Sequence, residues 1–235
     1  MPFVHRRRPY DRVRILKEAE QARSAKRVRR AIALYRRVLA VEPRNPELHF
    51  KIAPLLARTG ARFDARQSFE RAAQACRESG AGDREIAVYR EAVQHLPRDF
   101  SIWRAIADAE SRAQRPARAR DALLEGRARM LGRRRRAEAI ELLRAALEVA
   151  PDDHEITLDL ARELARSGQS AEARFLLARV KEVARGRTGR RVLGLAWRLD
   201  PSLSHSLAWL RAAWSARDDR RARVRPRSRM ASQRS

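Results

Sequence analysis

Five histidines, one cysteine and two acidic pairs are the residues of this 235-residue chain whose types could hold a metal or drive a reaction. Their spacing supports neither. His5, His49, His95, His154 and His205 lie far apart, mostly near expected helix ends. None stands in the HExxH pattern that puts two ligands on one helix face. Cys76 has no second cysteine to pair with, so no intramolecular disulfide can form. Asp152–Asp153 reads as charge at a helix N-terminus and Asp218–Asp219 as part of a polar tail. Neither GxxxxGK[ST] nor GxGxxG occurs. The expectation is a chain with no catalytic residue, no metal and no cofactor.

Charge is the stronger chemical signal. The chain carries 54 basic against 29 acidic residues, a net +25, and 50 of the basic residues are Arg. Residues 1–45 contribute +10 and residues 217–235 contribute +6, leaving +9 for the 171 between them. Fields of this size attract nucleic acid, anionic lipid or an acidic protein. The preference for Arg over Lys in every segment also fits the codon bias of a GC-rich genome. No run of 18 or more apolar residues occurs, so no membrane span is expected. The first eleven residues, MPFVHRRRPYD, have charge but no apolar core, so they do not read as a secretory signal. A cytoplasmic location is the expectation.

Regular proline punctuation sets the architecture. Pro43, Pro97, Pro151 and Pro201 each close an apolar-periodic run, at spacings of 54, 54 and 50 residues. Ala, Leu, Arg and Glu dominate, all strong helix formers, and no sustained period-2 run of Val, Ile and Thr suggests a sheet. The chain divides into a basic disordered segment over 1–11, helices over 12–200, a capping helix over 201–216 and a disordered Arg-rich tail over 217–235. The first two helices are expected at 12–23 and 27–41, with Ala31, Tyr35 and Val38 on one face. Residues 189–199 read as a shorter last second helix. In residues 203–216, Leu207, Leu210 and Trp214 make an apolar stripe suited to covering an open end. Pro54 inside a helical pattern predicts a bend or a late helix start.

The chain resembles a tetratricopeptide repeat protein. That family's helix–turn–helix units, about 34 residues long, place small and large residues at fixed positions so that paired helices approach closely. From Pro46, the pattern is met by Ile52, Ala53, Gly60, Ala65, Phe69 and Ala72. From Phe100 it is met by Trp103, Ile106, Ala107, Ala119 and Leu123, and from His154 by Leu160, Ala161, Leu164, Gly168, Ala173 and Leu177. The 54-residue spacing follows if the second helix of each full repeat is also the first of an overlapping one, giving a three-helix unit. Glu85, where the family has Ala, and Gly126, where the overlapping repeat wants Leu, depart from the pattern. Cys76 falls on a packing position, so a buried, inert thiol is expected. The resemblance implies an all-α, right-handed α-solenoid of about twelve antiparallel helices.

It also implies where a partner binds. In this family the concave face, lined by first helices, generally holds peptides or protein surfaces. The positions matching that face include Phe50, Arg58, Arg104, Arg112, Leu158, Arg162 and Arg166. Arg58, Arg112 and Arg166 share one helical position, and three guanidinium forks there suit carboxylates. They lie past the packing residues, so their removal is expected to spare the fold. The reading is a non-enzymatic scaffold for a protein or peptide, with an acidic one suited to these arginines. The alternative is an RNA or ribonucleoprotein binder using the basic termini. It draws on Trp103, Ala107 and Glu110 followed by Ala119 and Arg120, which resemble the half-a-TPR motif of RNA-processing assemblies; His49 and Thr157 replace the Trp in the other units. An exposed Trp197 or Trp209 could then stack on a base. The tail has too little apolar surface to pack, so deleting residues 218–235 should leave the melting temperature unchanged in a calorimetric scan.

Overall fold

In the computed structural model residues 10–181 and 186–199 are described, and the chain divides into two compact units between Arg129 and Met130. Among the described residues there are eleven α-helices, one short 3-10 turn and no strand. The first unit holds α1 (Arg12–Ser24), α2 (Val28–Leu39), α3 (Pro46–Arg58), α4 (Arg62–Glu78), α5 (Gly82–His95), α6 (Phe100–Arg112) and α7 (Pro116–Arg129). The second holds the 3-10 turn Arg133–Arg135, then α8 (Arg136–Val149), α9 (His154–Arg166), α10 (Ser170–Lys181) and α11 (Gly186–Leu199). In each unit every α-helix packs on the one before it; α3 also meets α5, and α9 also meets α11.

Two kinds of connection recur, and each has a chemical cause. The turns α1–α2, α3–α4, α4–α5, α6–α7 and α9–α10 are three residues long with a left-handed residue in the middle: Lys26, Gly60, Gly80, Gln114 and Gly168. The next amide reaches back five residues, as in Arg27 to the Ala22 carbonyl, Ala61 to Leu56, Ala81 to Cys76, Arg115 to Glu110 and Gln169 to Leu164, at 2.8–3.0 Å. This closes the carbonyls left open at a helix C-terminus. The starts of α1, α3, α6 and α9 are capped instead. Asp11, Asn45, Asp99 and Asp153 accept amide hydrogen bonds at the N-termini of α1, α3, α6 and α9.

The helices close on small residues. Ala31, Ala65, Ala119 and Ala173 on the second helices have no exposed surface, and Ala53, Ala73 and Ala161 are equally enclosed. Around them Tyr35, Phe69, Trp103, Ile52, Leu123 and Leu164 are fully buried. The side chain four places into α3 and α6 also ties back to the preceding proline. His49 Nε2 donates to the Pro43 carbonyl at 2.8 Å, and Trp103 Nε1 donates to the Pro97 carbonyl at 2.9 Å. At the matching place in α9, Thr157 donates within its own helix to the Asp153 carbonyl.

A 54-residue period reappears in ion pairs. Arg36, Arg90 and Arg144 stand on the helix before each proline, and they reach Asp64, Glu125 and Glu172 on a later second helix at 2.7, 3.2 and 2.9 Å. All are exposed enough that each contributes no more than about 1 kcal/mol. Helix α4 leaves by the same left-handed turn through which it is entered, so it is second helix to α3 and first helix to α5. The connection after α7 is different: it runs through Gly132, with φ +91°, and the 3-10 turn into the other unit.

Several expectations change. Pro54 marks no late start, because α3 begins at Asn45–Pro46 and runs through it. Residues 189–199 belong to the 14-residue α11, as long as α5. Cys76 is half-buried, not enclosed. Gly126 has a positive reason to be glycine. A Cβ built there would sit 2.6 Å from Cγ and 2.7 Å from Cβ of Trp103, whose indole is buried. The segments 1–9 and 200–235, including the helix read over 203–216, lie outside the described residues.

Gly126→Ala should therefore lower stability in urea titration by about 1–3 kcal/mol through overpacking, despite alanine's better helix propensity. Gln114 holds a left-handed conformation that glycine adopts freely, so Gln114→Gly should raise stability by about 0.5–1 kcal/mol in the same assay.

Candidate partner-binding face

On the first unit, α3 and α6 position four of the expected residues. Phe50 is 39% exposed and meets Phe69 edge to face, ring centroids 6.3 Å apart. The buried face of Phe69 continues into His95, whose ring stacks at 6.2 Å while its Nε2 meets Glu91 at 3.1 Å. Arg58, at the end of α3, is exposed, and Arg104, in mid-α6, is half-buried. Neither meets a carboxylate among the described residues.

Arg112 is engaged within the fold. Its Nη2 donates to Glu85 Oε1 at 2.8 Å, and Arg77 Nη1 stands 3.9 Å from the same oxygen. Glu85 is only 3% exposed, in the place where the other second helices carry an enclosed Ala. An uncompensated carboxylate there would be costly, so Arg112 acts as its counter-ion. This corrects the expectation that Arg58, Arg112 and Arg166 are alike and dispensable to the fold. Near them, burial raises the Tyr89 phenol above its ordinary pKa, with Glu85 and Glu70 adding to the effect. Burial also raises the Glu70 carboxyl, against the pull of Arg66.

A second polar cluster ties α1, α2 and α3 together. Tyr35 Oη donates to Glu20 Oε1 at 2.8 Å, and Lys51 and Arg23 meet the same carboxylate at 3.0 and 2.7 Å. Burial works against ionising Glu20, but the hydrogen bonds from Tyr35, Lys51 and Arg23 outweigh it and hold the carboxyl below its usual range. Tyr35 is pushed far up, first by burial and then by Glu20.

On the second unit, Leu158 has no exposed surface. It is a core residue of that unit and not part of an open face, because α9 is packed by α8, α10 and α11. Glu155 on α9 accepts from Thr188 at 2.6 Å and pairs with Arg191, which also lies 3.7 Å from Asp159. The Thr188 hydrogen bond is the main reason the Glu155 carboxyl is held below its usual range, with Arg191 assisting against burial. Arg162 pairs with Asp159 at 3.0 Å and Arg166 with Glu163 at 2.9 Å, both one turn away on α9.

One group escaped the sequence reading. Arg27, Arg29 and Arg30, at the start of α2, line an open cavity together with Arg58. The run KRVRR at 26–30 was its signal, legible only as charge until α3 brought Arg58 beside it. The residues that resemble the RNA-associated motif are used in packing: Trp103 is buried, and Glu110 is 3% exposed with Arg115 Nη1 3.9 Å from its Oε2. Trp197 is 44% exposed; Trp209 is outside the described residues. No described group of His, Cys, Asp and Glu could hold a metal, and no described helix is long and apolar enough to cross a membrane.

Two tetratricopeptide repeat models match the chain, at residues 16–81 and 130–196. No curated protein sequence matches it. Similar solved structures include a tetratricopeptide repeat protein from Parabacteroides merdae, 13% identical, covering 88% of this chain and 92% of that one, with a TM-score of 0.34. A MamA structure is 12% identical over 92% and 96% of the two chains, TM-score 0.33. PilF of Pseudomonas aeruginosa is 14% identical over 88% and 90%, TM-score 0.33.

Removal of Arg112 should be destabilising in a way that removal of its partner repairs. Arg112→Ala should cost about 2 kcal/mol in urea titration, by loss of a charged hydrogen bond to a buried group. Adding Glu85→Ala, which restores the small residue used elsewhere at that place, should recover most of the loss.

Proposed function

We propose, from the premise that this chain belongs to the tetratricopeptide repeat family, that it is a protein-interaction scaffold whose first unit holds an acidic peptide or protein segment on α3 and α6. The observation that carries the reading is the pairing of an exposed ring with unneutralised cations. Phe50 stands open on α3, and Arg58 and Arg104 meet no carboxylate among the described residues. Other arginines of the first unit, such as Arg36, Arg66, Arg90 and Arg112, are already ion-paired. An aromatic anchor together with guanidinium forks on the same unit suits a segment that carries both an apolar residue and carboxylates. Arg112 is left out of this site because Glu85 occupies it. Arg162 and Arg166 of the second unit are left out as well, since each has an acidic neighbour on its own helix.

The reading is tested by affinity capture of partners from cell extract, with and without nuclease. Proteins recovered by the native chain should persist after nuclease treatment and be lost with Phe50→Ala/Arg58→Ala/Arg104→Ala. Each lost charged contact is worth roughly 1.5–3 kcal/mol. Recovery that vanishes with nuclease and ignores the triple variant would instead favour the RNA-associated reading through the basic termini. In that case affinity should fall steeply with salt, as counterions are released from phosphates.

A further inference from the structure

We propose that the cavity between the start of α2 and the end of α3 is a binding site for a phosphoryl group. The cavity is open, about 420 Å³ in volume, and lined by Arg27, Val28, Arg29, Arg30, Arg58 and Thr59. Four of the six lining residues are therefore arginines, and all four are exposed. None of them meets a carboxylate among the described residues. Other arginines, such as Arg12, Arg36, Arg90, Arg115, Arg136 and Arg144, each meet an acid from another helix; these four instead converge on one cavity. Guanidinium groups gathered around one space repel each other, and an anion entering it relieves several repulsions at once.

The chemistry selects the anion. A single carboxylate engages one guanidinium fork. A phosphoryl dianion offers three oxygens and about twice the charge, so it engages several forks together. The start of α2 adds to the attraction, because it has no side-chain cap and no acidic residue in its first turn to satisfy its amides. A strand of nucleic acid fits less well: none of the six lining residues is aromatic, so bases would have nothing to stack on. The phosphoryl group can be free inorganic phosphate or can be carried on a phosphorylated side chain of a partner. Arg58 also borders the peptide face on α3, but the site is defined by Arg27, Arg29 and Arg30, which that face does not use.

The test is an amide NMR titration of the full chain at constant ionic strength with inorganic phosphate, O-phosphoserine and glutamate. Resonances of Val28–Arg30 and Thr59 should shift with phosphate and phosphoserine, saturating at concentrations about tenfold or more below those needed for glutamate. Arg29→Gln/Arg30→Gln should weaken that binding about tenfold, whereas Arg37→Gln/Arg71→Gln, which removes the same charge from exposed sites elsewhere, should change it no more than about twofold. Tighter binding of phosphoserine than of inorganic phosphate assigns the site to a phosphorylated side chain, and the reverse order assigns it to the free ion. Equal response to glutamate, or equal loss in the two double variants, overturns the site and leaves the reading of Phe50 and Arg104 standing.

Discussion

Helix pairs in this protein can close only where a side chain is small enough to disappear. Ala31, Ala65, Ala119 and Ala173 stand at the same place on four second helices, and each has no exposed surface. At that distance the facing large residues interlock instead of colliding, and the packing density of the core follows. Gly126 carries the same logic one step further, since even a methyl group there would enter the Trp103 indole. Where the rule is broken, the structure has to compensate. Glu85 occupies the alanine place on α5, and α6 supplies Arg112 to neutralise it. The arginine thereby becomes unavailable to a ligand.

Connections between helices obey a second constraint, the satisfaction of backbone groups at helix ends. Left-handed turns close first helices, and aspartate or asparagine caps open them. Glycine serves the turn at Gly60, Gly80 and Gly168, whereas Lys26 and Gln114 hold the same conformation with a side chain present. The ties from His49 and Trp103 to proline carbonyls join each opening to the helix that precedes it. Two different side chains therefore perform one structural task, which explains why His can stand where the half-a-TPR motif has Trp.

Charge follows a different economy. Pairs such as Arg36–Asp64 and Arg144–Glu172 recur with the repeat, but both partners are exposed and each pair contributes little. Their larger effect is to remove arginines from the free surface. Among the arginines that stay unneutralised in the first unit are Arg58 on α3 with Phe50, Arg104 on α6, and Arg27, Arg29 and Arg30 around their cavity. A net charge of +25 does not distinguish Arg27, Arg29, Arg30 and Arg58 from the rest; their convergence on one cavity does.

The repeat, the all-helical class and most core positions were legible in the sequence, because proline stops, glycine turns and apolar periodicity act over a few residues. Ala31, Tyr35, Phe69, Trp103 and Leu177 were read as packing positions and are buried. The site was only partly legible, because exposure and pairing depend on residues about 30 positions away that no local pattern ties together. Leu158 matches a groove position by spacing, yet it is enclosed where α8, α10 and α11 pack on α9. Arg112 and Arg58 share one helical position, and only the fold puts Glu85 beside the first and Arg29 and Arg30 beside the second. Local chemistry determined which helices form and where they turn; tertiary packing decided which charges remained free to bind.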